Sequence, residues 1–252
     1  MPDQPVTAAL LIIGNEILSG RTQDANLAYL GRRLDEIGIR LMEVRVIPDA
    51  AAAIVAAVNE VRRRFTYVFT TGGIGPTHDD ITARCLAEAF GVPLIQNPEA
   101  RALLEAHYAP GELNDARLRM ANTPEGAVLI ENPVSHAPGF QIGNVFVMAG
   151  SPPVMRAMFE STVHRLTGGT PLVSRAVTVD LPEGVLAEGL DALQKAYPEV
   201  EIGSYPFHRA GCFGALLVLR STAAARLDAA AKALDALIAE LQGRGDWDST
   251  GV

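Results

Sequence analysis

The alternation of strand-like and helix-like segments over residues 8–70 is the feature that most constrains how this chain can fold. The apolar run from Ala8 to Ile13 is followed by leucines at helical spacing, from Leu27 to Leu34. The pattern then continues with a strand from Ile39 to Ile47, a helix from Ala50 to Arg64 and a strand from Tyr67 to Thr70. A βαβαβ order requires a parallel sheet with helices on both faces. We therefore predict an α/β fold with three layers around an open, mostly parallel sheet.

Further periodic segments extend this domain to about residue 166. We predict, in order, a helix from Asp79 to Phe90 closed by Gly91, a helix from Asn97-Pro98 to Tyr108, a strand from Val128 to Ile130, a hairpin from Phe140 to Met148 that turns at Gly143-Asn144, and a helix from Pro152 to Leu166.

Five consecutive turn-prone residues, Thr167 to Pro171, interrupt the pattern and predict a domain boundary. We expect a first domain over residues 1–167 and a small α+β domain over residues 168–252. The second is predicted as a strand from Val173 to Val179, a helix from Val185 to Tyr197, strands from Glu201 to Tyr205 and Phe213 to Leu219, a helix from Thr222 to Leu241, and a loose tail from Gly243.

Composition narrows the classes of partner and location. The formal net charge of -8 disfavours nucleic acid, because neutralisation of phosphates supplies most of that affinity. No apolar stretch approaches the length of about 20 residues that a membrane span requires, and the amino terminus lacks a basic leader. We expect a cytoplasmic protein with no membrane partner. Cys85 and Cys212 lie far apart and are expected to be inert thiols.

The segment from Thr70 to Thr82 is the most informative loop in the sequence. A buried strand runs directly into Thr71-Gly72-Gly73-Ile74-Gly75-Pro76-Thr77, and a helix is predicted to follow. Glycines allow the backbone to approach a ligand, and the free amides at a helix N-terminus favour an anion. We interpret the segment as a phosphate-binding loop. The alternative is a plain tight turn in which Asp79 stabilises the start of the helix.

Asp79 and Asp80 would repel a phosphate unless a cation lay between them. Mg²⁺ or another divalent ion, which prefers oxygen ligands, would remove this conflict. The neighbouring His78 is a candidate acid or base, and it would make a catalytic group with the two aspartates. Capping of the helix by one of the aspartates is the alternative role.

Two more loops leave strands and are candidates for the same site. The first, Gly14 to Asn26, is longer than a minimal connection between strand and helix. Its candidate ligand-binding residues are Asn15, Glu16, Arg21 and Asn26, and Asp24 is a candidate metal ligand, although Thr22 or Asp24 could instead cap the helix. The other loop, with Gly150 and Ser151, precedes Pro152 at the start of a helix, where the alternative is simple capping by the serine.

These segments resemble the molybdopterin-binding (MoaB/Mog-type) family, including the amino-terminal part of CinA-type competence/damage-inducible proteins and a domain of FAD synthases. The resemblance covers about Ala8 to Leu166. The motifs that carry it are Gly14-Asn15-Glu16-Ile17-Leu18, Thr22 to Asn26, Thr71 to Thr82, Arg119-Met120-Ala121, Pro124-Glu125-Gly126, Ala137-Pro138-Gly139-Phe140 and Asn144 to Gly150. The segment Glu201 to Pro206 is similar to the region that follows in the same proteins.

The resemblance implies a molybdopterin-like or nucleotide ligand and, as in CinA-type relatives, metal-dependent hydrolysis of ADP-ribose or related nucleotide pyrophosphates. It places phosphate at Gly72, Gly73, Gly75 and Thr77, and acidic functions at Glu16, Asp24, Asp79 and Asp80. A module that only binds molybdopterin or a nucleotide is the alternative, and a transferase that adenylylates molybdopterin is a third. The amidohydrolase and nucleotidyl-transferase domains of longer relatives are not expected here. We expect a homo-oligomer, a dimer or a trimer.

Overall fold

The computed structural model describes residues 5–209 and 212–244, and these form two compact units, with the first extending through Gly169 and the second beginning at Thr170. The predicted tail lies outside the described residues from residue 245 onward, as does the thiol of Cys212. Cys85 is buried, and burial raises the pKa of its thiol, which keeps it protonated.

The first unit alternates strands and helices. Its strands are β1 (Thr7–Ile13), β2 (Arg40–Ile47), β3 (Tyr67–Thr71), β4 (Leu94–Gln96), β5 (Asn122–Pro124), β6 (Val128–Ile130), β7 (Gly139–Ile142) and β8 (Val145–Met148). Its helices are α1 (Asn15–Leu18), α2 (Asn26–Glu36), α3 (Ala51–Arg64), α4 (Thr82–Phe90), α5 (Pro98–His107), α6 (Asp115–Leu118) and α7 (Pro152–Thr162), with 3₁₀ turns at Arg119–Ala121 and Val163–Arg165.

Six of these strands form one sheet in the order β2-β1-β3-β8-β7-β6. β2, β1, β3 and β8 are mutually parallel, and β7, which pairs antiparallel with both β8 and β6, is the one strand of this sheet that runs in the opposite direction. The predicted mostly parallel sheet is confirmed, and so is the hairpin between β7 and β8. The strands β4 and β5 form a separate two-stranded antiparallel sheet.

The sheet is buried on both faces because successive residues of its central strands point in opposite directions. In β1, Leu11 packs with residues of α3 and α4, whereas Leu10 packs with residues of α2 and α7. Every residue of β1 after Thr7 is buried, which explains its uninterrupted apolar sequence.

The chain leaves β1 toward β2 on one side and reaches β3 on the other. Loops at the carboxyl ends of β1 and β3 therefore diverge and leave a crevice between them, which is where open α/β sheets bind ligands.

The second unit is a small α+β layer structure. It consists of β9 (Val173–Val179), α8 (Glu183–Ala196), β10 (Glu201–Arg209), β11 (Cys212–Ser221) and α9 (Ala224–Arg244). The strands form an antiparallel sheet in the order β10-β11-β9, and Leu217 of β11 packs in a core with Leu186 of α8 and Leu234 of α9. This architecture agrees with the predicted α+β unit.

In the described part of the chain, none of the helices has the length and apolar content that a membrane crossing requires.

Candidate ligand-binding site

A cavity of about 440 Å³ lies at the carboxyl ends of β1, β3 and β8. Each of the three loops singled out in the sequence contributes to it. Five predicted residues come from the loop after β3, namely Gly72, Gly73, Gly75, Asp79 and Asp80. The other two loops contribute Glu16, Gly150 and Ser151. The structure thus brings together eight residues whose proximity had been inferred from topology.

The glycines of the loop after β3 are required by its backbone. Gly72 and Gly73 have φ angles of 101° and 69°, a region that side chains disfavour. A Cβ atom on Gly72 would lie 2.1 Å from the carbonyl oxygen of Ile13, and one on Gly73 would lie 2.2 Å from Oγ1 of Thr82. Both Cβ atoms would therefore lie inside the protein rather than in the cavity. A side chain at Gly73 would therefore disrupt the loop itself rather than occupy the space of a ligand.

The amides of this loop remain available to a ligand. The Gly72 amide donates to the carbonyl of Met148, which fastens the loop to β8. Across residues 5–209 and 212–244, the amides of Gly73, Ile74 and Gly75 have no hydrogen-bond partner, and all three residues line the cavity. Consecutive free amides form a concave donor surface for an anion. The Ile74 side chain packs against the cores on both faces of the sheet and anchors this surface.

Asp79 and Asp80 do not cap α4. The helix begins at Thr82, three residues later than predicted, and its N-cap residue Ile81 makes no side-chain cap. The carboxylate of Asp80 instead accepts hydrogen bonds from the amide of Thr77 at 2.8 Å and from its hydroxyl at 2.5 Å. Both side-chain and amide donors of Thr77 are thus engaged within the loop rather than directed at the cavity. No residue of α4 lines the cavity, so the predicted contribution of its N-terminus is also corrected.

The Asp79 carboxylate is solvent-accessible and ionised at neutral pH. The Thr77 hydroxyl, its own backbone amide and the neighbouring His78 lower the pKa of Asp79 below its ordinary value. The His78 ring lies 3.9 Å from the Asp79 carboxylate with 95% of its side chain exposed, and it does not line the cavity.

The acidic residues do not form a ready-made metal centre. The structure, where it describes the chain, holds no group of three or more His, Cys, Asp or Glu side chains placed to bind a metal ion. Asp24 is outside the cavity, and its Oδ1 accepts the amide of Leu27 at 2.8 Å in the first turn of α2. This is the capping contact given above as the alternative for Asp24. A cation in the cavity would therefore depend on Asp79 and Asp80, with the ligand supplying further oxygens.

The loop after β1 places Glu16 in the cavity and holds its other residues outside. Residues Asn15–Leu18 form a short helix, and the amide of Asn15 donates to Oδ2 of Asp49 at 2.8 Å. Asn15 and Arg21 are exposed and do not line the cavity.

The loop after β8 is positioned by Asn26. This side chain is 2% exposed, and its Nδ2 donates to the carbonyl of Gly150 at 2.8 Å.

Ser151 is the N-cap of α7 but makes no side-chain cap, which leaves its hydroxyl free to face a ligand and excludes the capping alternative. Pro152 and Pro153 occupy the first two helical positions and have no amide hydrogen. The α7 N-terminus is therefore a poor anion site, contrary to expectation.

Thr71, the last predicted residue, ends β3 and is 1% exposed. Its Oγ1 has no partner within the described residues, and it does not line the cavity.

Four further residues line the cavity and were not predicted from the sequence, namely Asp49, Met120, Asn132 and Ser135. Asp49 follows β2, so the rule that sites lie at carboxyl ends of strands would have indicated it. Asn132 is buried, and its amide nitrogen donates to Ser135 Oγ at 2.6 Å and to the Ala137 carbonyl at 2.8 Å. Because Ser135 accepts this bond, its own hydroxyl hydrogen remains free for a ligand. No local signal shows that this loop reaches the cavity.

An open, mostly parallel sheet with a cavity at its switch point and free loop amides is the arrangement with which α/β proteins bind small anionic ligands at their strand ends. Comparison with known sequences specifies the family. Residues 9–197 match the family described as "Probable molybdopterin binding domain", and residues 171–242 match the middle domain of FAD synthase. The chain belongs to the molybdopterin-binding domain family of the MoaB/Mog type and to its CinA-like group.

Relatives come from archaea and bacteria. A protein of Pyrobaculum calidifontis is 35% identical over 79% of this chain and 80% of its own length. A CinA-like protein of Citrifermentans bemidjiense is 39% identical over 77% of this chain but only 52% of its own length, so the chain spans about half of that relative. A crystal structure of the protein CinA from Thermoplasma acidophilum is 32% identical, with a TM-score of 0.61, and the match covers 65% of this chain and 99% of the other.

Proposed function

We propose that the cavity binds a pterin or a nucleotide that carries a pyrophosphate and that the protein hydrolyses this pyrophosphate with the help of a divalent cation. The observation that supports this proposal most directly is that residues with free loop amides and residues with carboxylate side chains line the same cavity. Amides suit the phosphates, and carboxylates suit a cation that neutralises them. The volume of about 440 Å³ lies in the range of sites for small molecules.

The acidic residues of the cavity fit a cation shared with the substrate. Mg²⁺ is usually held by one or two carboxylates together with substrate phosphates and water. The Asp79 side chain is 62% exposed, and Asp80 uses only Oδ2 in its bonds to Thr77, so its Oδ1 stays available. When bound there, a divalent ion supplies a Lewis acid that neutralises charge on the phosphates.

The chain's own residues have separate tasks in this proposal. The amides of Gly73 to Gly75 hold the diphosphate, and the hydroxyls of Ser135 and Ser151 donate to its outer oxygens or to the sugar. The Glu16 and Asp49 carboxylates accept hydrogen bonds from hydroxyl or ring N–H groups of the ligand. His78 receives no role, because its side chain points to solvent.

A module that binds the same ligand without turnover is the second candidate. The observation that favours it is the lack, among the described residues, of three acidic or imidazole side chains around one point. Such a protein would hold the pyrophosphate on the loop amides alone.

Hydrolysis of ADP-ribose and FAD, measured with Mg²⁺, with Mn²⁺ and with a chelator, tests the proposal. We expect turnover that depends on the metal and falls on the order of 10²-fold in Asp79→Asn and Asp80→Asn, because each change removes a ligand charge. Asp24→Asn is the matched control, since Asp24 lies outside the cavity and Asn retains much of its capping, and it should keep wild-type activity.

Three other outcomes have distinct meanings. Binding of these nucleotides without release of product would support the binding module and contradict hydrolysis. Consumption of ATP in the presence of molybdopterin, without hydrolysis of ADP-ribose, would indicate the transferase. Turnover with unchanged metal dependence in both aspartate variants would remove the proposed cation from Asp79 and Asp80.

A further inference from the structure

The edge strand β2 has unusual properties for an exposed edge. It pairs with β1 on one side, and in the described part of the chain no strand pairs with its other side. It has eight residues and neither proline nor lysine, the charged side chains of Glu43 and Arg45 are paired with each other, and one irregularity in its pairing lies at Met42. The opposite edge, β6, has only three residues and is protected by its shortness.

The backbone of β2 shows which of its residues present free hydrogen-bonding groups. The carbonyl of Ile47 accepts the amide of Gly14, so it points toward β1. In a parallel pair the amide and carbonyl of one residue point to the same side, and the direction alternates along the strand. Glu43, Arg45 and Ile47 therefore bond to β1, while Val44 and Val46 present their amides and carbonyls to the open side. Met42, just before this regular stretch, lies in an irregular position of the pairing with β1.

The same residues expose apolar side chains. Met42 is 61% exposed, and Val44 and Val46 are each 38% exposed. They share one face of the strand, and the other face has Glu43 and Arg45, whose side chains form an ion pair at 2.5 Å. Glu60 and Arg64 of α3 extend this ion pair into a network.

The side chains of β2 are complementary to those of a second β2 strand that runs antiparallel to it and is centred on Val44. In an antiparallel pairing centred on this residue, Val44 meets Val44 of the second chain and Met42 meets Val46. On the other face, Glu43 meets Arg45 in both directions, which places opposite charges across the pair. This register also puts the outward-facing amide and carbonyl of Val44 opposite those of its copy.

The geometry points to a homodimer in which β2 of one chain pairs antiparallel with β2 of a second copy, so that a two-fold axis passes through Val44. The two six-stranded sheets would become one continuous sheet. The exposed stripe of Met42, Val44 and Val46 would pair with its own copy, as an isologous interface requires. This inference is independent of the chemistry proposed for the cavity.

Disulfide trapping tests the register of this interface. Directly opposite residues that exchange both backbone hydrogen bonds have Cα atoms about 5.5 Å apart, which is within disulfide range. In a chain with Cys212→Ser, we expect Val44→Cys to form a covalent dimer under mild oxidation. Met42→Cys alone should not, because the two copies of residue 42 would be about 14 Å apart. Combining Met42→Cys with Val46→Cys should restore the cross-link.

Light scattering of the unmodified protein provides the second measurement. We expect twice the 26.7 kDa mass of one chain. Val44→Lys should halve the measured mass, because two ammonium groups would meet on the axis. Leu103→Lys, at a residue of α5 that is 41% exposed, is the matched control and should leave the mass unchanged.

A monomeric wild-type protein would overturn the proposal. So would a dimer in which Val44→Cys does not cross-link, or one in which Met42→Cys alone cross-links as readily, since either result would place the interface elsewhere or in another register.

Discussion

Gly73 has a φ angle of 69°, and a Cβ atom there would lie 2.2 Å from Oγ1 of the buried Thr82. That hydroxyl donates to the carbonyl of Gly72 at 3.1 Å, and the amide of Thr82 donates to the carbonyl of Gly73 at 3.0 Å. These bonds fold the loop onto the start of α4, and the loop residues with free amides line the cavity. Gly73 therefore contributes to the site through its backbone conformation.

Replacing Gly73 by Ala should lower the free energy of unfolding by about 2–3 kcal/mol. Roughly 1–2 kcal/mol comes from a side chain in the left-handed region, and the rest from the displaced hydrogen bond of Thr82. Gly126 is a matched control, with a φ of 79° and no atom within 4 Å of a Cβ, so Gly126→Ala should cost only the first part. Urea denaturation measures both. Equal losses would show that Thr82 accommodates the methyl group freely.

The predicted ends of helices and strands agree with the structure where one face of a segment is regularly apolar. Helix α4 ends as predicted at Phe90, with Gly91 just beyond it at a φ of 67°. Strands β4 and β5, with three residues each, are too short to show a period, and they exist because they pair with each other. Helix α4 starts late because Asp80 and Thr77 form a hydrogen-bonded turn that local propensity does not reveal.

Helices α2 and α7 are joined by a cluster of three side chains on one face of the sheet. Glu160 of α7 accepts two hydrogen bonds from Arg33 of α2, from Nε at 2.7 Å and from Nη2 at 2.8 Å. The hydroxyl of Tyr29 donates to the same carboxylate. The Arg33 guanidinium, followed by the Tyr29 hydroxyl, lowers the pKa of Glu160.

Glu160→Gln should lower the free energy of unfolding by about 1 kcal/mol at neutral pH, since a partly exposed bidentate pair is worth little more. Because the folded pKa lies below the ordinary value of 4.5, this stabilisation is present above that pH and is lost as the pH falls. The difference between the two proteins should therefore shrink below pH 4.5 in acid titrations.

Glu36→Gln is the control for this prediction. Glu36 also pairs with Arg33, but within α2 and with 59% of its side chain exposed, so it should cost below about 0.5 kcal/mol. A loss as large as that of Glu160→Gln would assign the stability to the charge of Arg33 rather than to the link between helices.

The order of strands in the six-stranded sheet made the site partly predictable. Once β1 and β3 are adjacent and parallel, their following loops must flank the same crevice, and Glu16 and Gly72 were found by that rule. The contribution of Asn132 and Ser135 follows from how the segment between β6 and β7 packs back over the cavity. Such packing depends on contacts distant in sequence, and no local pattern encodes it.

All residues that line the cavity belong to the first unit, and each unit has its own buried core. A fragment of residues 1–169 should therefore fold alone and bind nucleotide pyrophosphates as tightly as the full chain. Ending at Gly169 matters, because the amide of Thr167 donates to the Tyr67 hydroxyl at 2.9 Å and the amide of Gly169 donates to the Gly38 carbonyl at 3.0 Å.

The control for this last prediction is a fragment of residues 1–166, which lacks both bonds and should be less stable by about 2 kcal/mol, at roughly 1 kcal/mol for each. Thermal unfolding with and without ADP-ribose compares the two fragments with the full chain, since a ligand that binds only the folded state raises the melting temperature. If the longer fragment folds but is not stabilised by a ligand that stabilises the full chain, then binding also requires the second unit. If both fragments melt together, the bonds of Thr167 and Gly169 contribute nothing to the first unit, and its folding is complete before residue 167.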